Sequence, residues 1–191
     1  MLARWHNAVR RVLELHGGTV EKFVGDAVMA VFGAPVTHED DALRAVRAAD
    51  EMRVLLASLN KELERDHGVR IDARTAVNTG VVVVGAAETN ATGDAINVAK
   101  RLEQAAQGSE ILIGERTLEL VRDAVVVEPL EALALKGKAA RVSAWRLLAV
   151  LPDVPAFARP ITTPFVGRES ASLPFSNRHS SGRVLRTAES W

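Results

Sequence analysis

The strongest constraint on this chain is a hairpin signal close to its N-terminus. Thr19–Val24 (TVEKFV) and Ala27–Phe32 (AVMAVF) are short runs rich in β-branched and apolar residues, and only Gly25-Asp26 joins them. So short a link forces the two runs antiparallel, and glycine in its first position suits a type II′ turn. Whatever else forms must therefore pack against a sheet.

The flanking periodicities supply helices to do so. Leu2, Trp5, Val9, Val12 and Leu13 fall on one helical face, and Gly17-Gly18 stops the pattern. After the hairpin, Thr37 and Asp40 have capping-box spacing. A long helix is then expected to about Arg65, with Ala42, Val46, Ala49, Met52, Leu55, Leu59 and Leu63 as its apolar stripe. VRIDARTAVNTG (69–80) reads as a strand, and VVVVG (81–85) as a second one buried on both faces. DAINVAKRLEQAAQG (94–108) is an amphipathic helix, EILIG a strand and ERTLELVRD a short helix. AVVVEPL and VSAWRLL are strands flanking the loop ALKGKAA.

This alternation predicts an α/β (α+β) domain with a ferredoxin-like sheet over residues 1–149. Such a sheet begins with a strand ahead of its first helix. No residues stand there to form it, so the first strand is expected to be missing. Residues 150–191, rich in Pro, Ser and scattered Arg without periodicity, are expected to be linker and disordered tail.

Charge and composition exclude several classes. The 24 basic and 24 acidic residues balance, which gives no bulk support for nucleic-acid binding. There is no cysteine, hence no disulfide framework or thiolate metal site. No apolar run reaches a membrane span, and the N-terminus lacks a signal-peptide core, so a cytoplasmic protein is expected. The five histidines, His6, His16, His38, His67 and His179, show no ligand spacing.

The segments HGGTVEKFVGDAVMAVFGAPVTHEDDALRAVRAA, AVNTG, TGDAINVAKRLEQAA, EILIGERT and LKGK, in this order and spacing, resemble the class III adenylate/guanylate cyclase catalytic domain. The bacterial form that precedes an AAA or NB-ARC ATPase module is the most similar, and TPFVGRES resembles the opening of such a module. No G-x-x-x-x-G-K follows it. The resemblance implies a dimer, homo- or heteromeric, with nucleotide sites at its interface. It also implies conversion of ATP to 3′,5′-cyclic AMP and pyrophosphate with two Mg²⁺ or Mn²⁺ ions, and no contact with nucleic acid or membrane.

Residue by residue, it implies that Asp26 holds metal at the hairpin turn, and that Lys22 and Asn90 read the purine. Asn97 and Arg101, on one face of their helix, would position the ribose and stabilise charge on the α-phosphate. Lys136 or Lys138 would reach the terminal phosphates. Each has a plainer explanation. Aspartate is common in turns, lysines in strands and loops are ordinarily solvated, and Asn97 and Arg101 fit a solvated helix surface. Asp94 reads as a first-turn carboxylate. The family's other metal aspartate lies in the strand expected to be missing. The isolated chain is therefore expected to have little activity. A non-catalytic nucleotide-binding or dimerisation module of a signalling regulator stays open as the alternative.

Overall fold

The computed structural model describes residues 2–84, 91–133, 141–152, 154 and 183–190. Helix α1 (Leu2–Leu15) buries Trp5, Val9, Val12 and Leu13, the face its spacing predicts. The hairpin forms as β1 (Thr19–Val24) and β2 (Ala27–Phe32). Every residue of β2 is buried, because the strand is covered on both sides. Val28, Ala30 and Phe32 pack with α1 and the helix Asp41–His67, whereas Met29 and Val31 pack in a second cluster with Ala95 and Ala99 of the helix Asp94–Ala105. Double coverage explains why AVMAVF is apolar throughout instead of alternating.

Helix α2 (Asp41–His67) ends in a left-handed Gly68, whose N–H bonds the Glu64 carbonyl. The capping box does not form. Thr37 Oγ1 donates instead to the Gly33 carbonyl, and Asp41 Oδ2 accepts the His38 N–H at 2.7 Å. The helix starts at Asp41 with no side-chain hydrogen bond capping it from its N-cap residue, Asp40. Near its far end, buried Asn60 answers both backbone groups of Ile71, donating at 2.7 Å and accepting at 2.9 Å. That amide fixes where the chain turns into β3 (Asp72–Thr79).

The valine run does not become a strand. Val81 and Val83 are 64% and 63% exposed and only Val82 is buried. Among the described residues one bridge, Val83 to Thr92, pairs it. Val82 alone packs with Met29, Val31 and Ala91; an apolar run is compatible with a buried strand but does not create the neighbours one needs. The remaining elements follow the sequence: α3 (Asp94–Ala105), β4 (Ile111–Gly114), α4 (Glu115–Val121) with a 3₁₀ turn, β5 (Val125–Pro129) and β6 (Ala144–Val150).

The tail departs most from expectation. Arg183–Ser190 forms β7, and the sheet runs β1-β2-β7-β3-β4-β6-β5. Strand β7 is antiparallel to β2, from Val28↔Thr187 to Phe32↔Arg183, and antiparallel to β3, from Asp72↔Ser190 to Thr79↔Arg183. So β2 and β3 run parallel to each other with one strand between them, and α2 crosses from one to the other. The position expected to lack a strand is filled by residues expected to be disordered. The physical reason is the demand of two buried neighbours for backbone partners, which local composition does not express. The TPFVGRES stretch lies outside the described residues.

Candidate nucleotide site

The turn that carries Asp26 has the geometry its residues predict. Gly25 has φ +63° while Asp26 is not among the residues with positive φ, as a type II′ turn requires. Nothing lies within 4 Å of a Cβ built at Gly25, so the glycine serves the backbone angle and not a close approach. The turn is solvent-facing, and Asp26 is half-buried at the mouth of the fully buried β2. A carboxylate so placed is anchored by its strand and open to a ligand.

Lys22 is exposed on β1, opposite Met29. Between the pairs Val20↔Ala30 and Lys22↔Met29 the register slips by one residue, Glu21. This bulge sets the course of the strand at Lys22. The Glu21 side chain is 4% exposed, and its Oε2 accepts the Ala91 N–H at 3.3 Å. It ties the hairpin to the residue that follows Asn90. Glu21 went unnoticed in the sequence, where it reads as an ordinary strand acid; the slip in pairing that buries it has no local signature. Asn90, Lys136 and Lys138 lie outside the described residues.

Helix α3 begins at Gly93, whose φ of +151° and whose approach to the Val81 carbonyl, 2.6 Å from a Cβ built there, admit no side chain without strain. Asn78 Nδ2 donates to the Ala95 carbonyl at 3.0 Å, locking the first turn to β3. Ala95, Val98, Ala99 and Leu102 form the buried face. Asn97 is exposed and Arg101 half-buried, four residues apart, so they share the side of α3 turned away from the sheet. Asp94 sits in the first turn, as expected.

The structure therefore brings the hairpin and α3 together through Met29, Ala95 and Ala99, but it does not gather the predicted site residues into one cavity. An open cleft of about 560 Å³ beside α3 is lined by Thr79, Gly93, Asp94, Glu115 and Arg116 among others. Lys22, Asp26, Asn97 and Arg101 do not line it. Nor do they line the groove of about 420 Å³ between α1 and α2.

Among the described residues no group of three or more His, Asp or Glu could hold a metal ion. A hard cation that keeps water and substrate phosphates needs only one or two protein carboxylates, and Asp26 at the turn fits that demand as one of them.

Residues 1–148 match the family described as Adenylate and Guanylate cyclase catalytic domain. The chain is 28% identical over 162 residues to Adenylate cyclase 1 of Rhizobium meliloti, covering 81% of this chain and 24% of that protein. It is 29% identical over 144 residues to the terminal-differentiation specific adenylate cyclase of Dictyostelium discoideum, covering 69% of this chain and 7% of that one. The chain thus spans a small part of the length of these relatives. Among solved structures it is similar to the adenylyl cyclase CyaB from P. aeruginosa, with TM-score 0.69 and 27% identity over 81% of this chain and 83% of that one. The guanylyl cyclase Cya2 is similar with TM-score 0.65 and 28% identity, over 76% and 77%. The hairpin with its turn aspartate, the mixed sheet and the family match over residues 1–148 together place this chain in the adenylate and guanylate cyclase catalytic domain family.

Proposed function

We propose that this domain is of the adenylate cyclase type, taking ATP to 3′,5′-cyclic AMP and pyrophosphate in intracellular signalling, with its site assembled between two cyclase domains. The observation that carries the reading is the division of the site residues. Asp26 and Lys22 belong to the hairpin, while Asn97 and Arg101 stand on the outer side of α3. A second copy facing the hairpin would bring its own α3 to the first copy's turn, and a two-fold arrangement would build two such sites.

In this arrangement Lys22 donates from its ammonium to adenine N1, and Asn90 hydrogen-bonds the adenine amino group. Asn97 orients the ribose. Arg101 presents its planar donors to the charge that builds on the α-phosphate. Lys136 or Lys138 meets the terminal phosphates. Asp26 would hold Mg²⁺ or Mn²⁺, which supplies charge neutralisation at the phosphates and a more acidic 3′-hydroxyl. Lysine at position 22 favours ATP, because a guanine N1–H would meet a donor there instead of an acceptor.

The test is cyclic AMP formation from Mn²⁺-ATP. Asp26→Asn and Arg101→Ala are each expected to abolish it. An equimolar mixture of the two variants should recover about a quarter of wild-type activity, because half of randomly paired dimers carry one intact site of two. A mixture that stays inactive removes the shared site. The alternative, a nucleotide-binding or dimerisation module without catalysis, is favoured by the single carboxylate at the turn itself. ATP binding without turnover in wild type selects it.

A further inference from the structure

We propose that Asn78 is a positioning residue that sets where α3 holds Asn97 and Arg101 against the nucleotide, an inference that rests on the roles proposed above for those two residues. The segments AVNTG and EILIGERT supply no group to the proposed reaction, yet both meet α3. The row of β3 that faces this helix is Ala76, Asn78 and Gly80. Ala76 packs with Val98 and Leu102. Asn78 Nδ2 reaches the Ala95 carbonyl at 3.0 Å, and a Cβ built at Gly80 would stand 2.8 Å from the Ala95 Cβ. Leu112 of β4 joins the same apolar layer. Asn78 is the polar member of this row and is 7% exposed. A buried amide in an apolar layer costs free energy unless it is bonded. Once bonded, it fixes a geometry that apolar contact alone leaves free to slide.

Gly114, at the end of β4, makes room for this amide. Its φ of −79° suits any residue, so the backbone does not call for glycine there. A Cβ built at Gly114 would collide with Asn78 Oδ1. The missing side chain is the space through which Asn78 reaches the helix. Asn78, Gly80 and Gly114, from two strands, thus converge on the first turn of α3. The helix is continuous from Asp94 to Ala105 and moves as a rod. Asn97 lies two residues beyond Ala95, and Arg101 six residues beyond it, about 9 Å along the axis. A slide of the helix at Ala95 therefore displaces both by the same amount. An error of about 1 Å in groups that act on the reacting centre costs on the order of 100-fold in rate. Lys22 and Asp26 belong to the hairpin, which this bond does not hold. Loss of the bond should therefore act on turnover and spare the metal.

Complementation in mixed dimers of the full-length chain tests this. Asn78→Ala should lower kcat for cyclic AMP formation about 10- to 100-fold, with Mn²⁺ affinity within about twofold of wild type. Mixed in equal amounts with Asp26→Asn, it should recover about a quarter of wild-type activity, because an intact hairpin then meets an intact α3. Mixed with Arg101→Ala it should recover none, since both changes spoil the same side of the site. Recovery with Arg101→Ala, no recovery with Asp26→Asn, or an unchanged kcat each overturns the proposal. Absence of turnover in wild type would refute the proposed function instead, and two readouts then judge the clamp without turnover. In Asn78→Ala the amides of Ile96–Ala99 should exchange about tenfold faster, while those of Val9–Leu13 in α1 keep their wild-type rate. No change at Ile96–Ala99, or equal acceleration in both helices, would remove Asn78 from the positioning of α3. Gly114→Ala should lower Tm by about 3 °C or more in wild type but by less than about 1 °C in Asn78→Ala, where the side chain it strikes is gone. An equal shift in both backgrounds would show that Asn78 does not occupy that space.

Discussion

Replacing Glu21 separates positioning from mere charge at the hairpin. Its carboxylate is 4% exposed and its recorded bond is to the Ala91 N–H at 3.3 Å, with Ala91 itself 5% exposed. Glu21→Ala leaves that N–H buried and unpaired, which costs about 1–3 kcal/mol; the long bond argues for the middle of the range, about 2 kcal/mol. For a chain of this size that lowers Tm by about 4–8 °C. Glu21→Gln keeps an accepting oxygen and removes a buried charge, so it should stay within about 0.5 kcal/mol of wild type. Thermal melts with urea titrations read the stability difference, and hydrogen exchange reads the Ala91 amide. That amide should exchange about 30-fold faster in the Ala variant and be nearly unchanged in the Gln variant, the equivalent of about 2 kcal/mol. The variants should split the same way in nucleotide affinity, because the bond ties the Lys22 strand to the segment after Asn90. Equal loss in Ala and Gln would mean that the charge matters and not the bond. No loss in either would mean that the bulge holds itself.

Other expected outcomes rest on separate contacts. Asn60→Ala should destabilise by about 2–4 kcal/mol in urea unfolding, since it strands both backbone groups of buried Ile71; a change under 1 kcal/mol would show that other partners replace it. Gly93→Ala should cost more than about 2 kcal/mol, given φ +151° and the Val81 carbonyl 2.6 Å from the new Cβ, and a variant as stable as wild type would contradict that backbone path. Asp26→Asn, on a solvent-facing turn, should change stability by less than about 0.5 kcal/mol while weakening Mn²⁺ binding measured by titration; unchanged Mn²⁺ affinity would take Asp26 out of the metal site. On acidification the Arg65–Asp66 pair should contribute little. Its hydrogen bond holds the Asp66 carboxyl below the usual range, so its stabilisation is present above the unfolded value and lost as pH falls through the folded one. Both groups lie in open solvent, and Asp66→Asn should leave the melt at pH 7 unshifted.

Local sequence determined those features whose cause is local. The Gly25-Asp26 link produced its turn because only glycine takes that backbone angle cheaply. Trp5, Val9, Val12 and Leu13 identified the buried side of α1 through helical spacing, and the amphipathic pattern of 94–108 announced α3, whose buried side is Ala95, Val98, Ala99 and Leu102. Asn97 and Arg101 fell on the opposite side of α3 for the same reason. Tertiary structure decided the rest. It denied the valine run a sheet partner and gave the continuous apolar run of β2 its cover on both faces. It buried Glu21 through a one-residue slip in pairing, against a loop seventy positions away. Above all, it drew Arg183–Ser190 into the middle of the sheet. Hydrogen-bond demand from two buried strands acts across the whole chain, and no pattern within eight residues of mixed polarity records it.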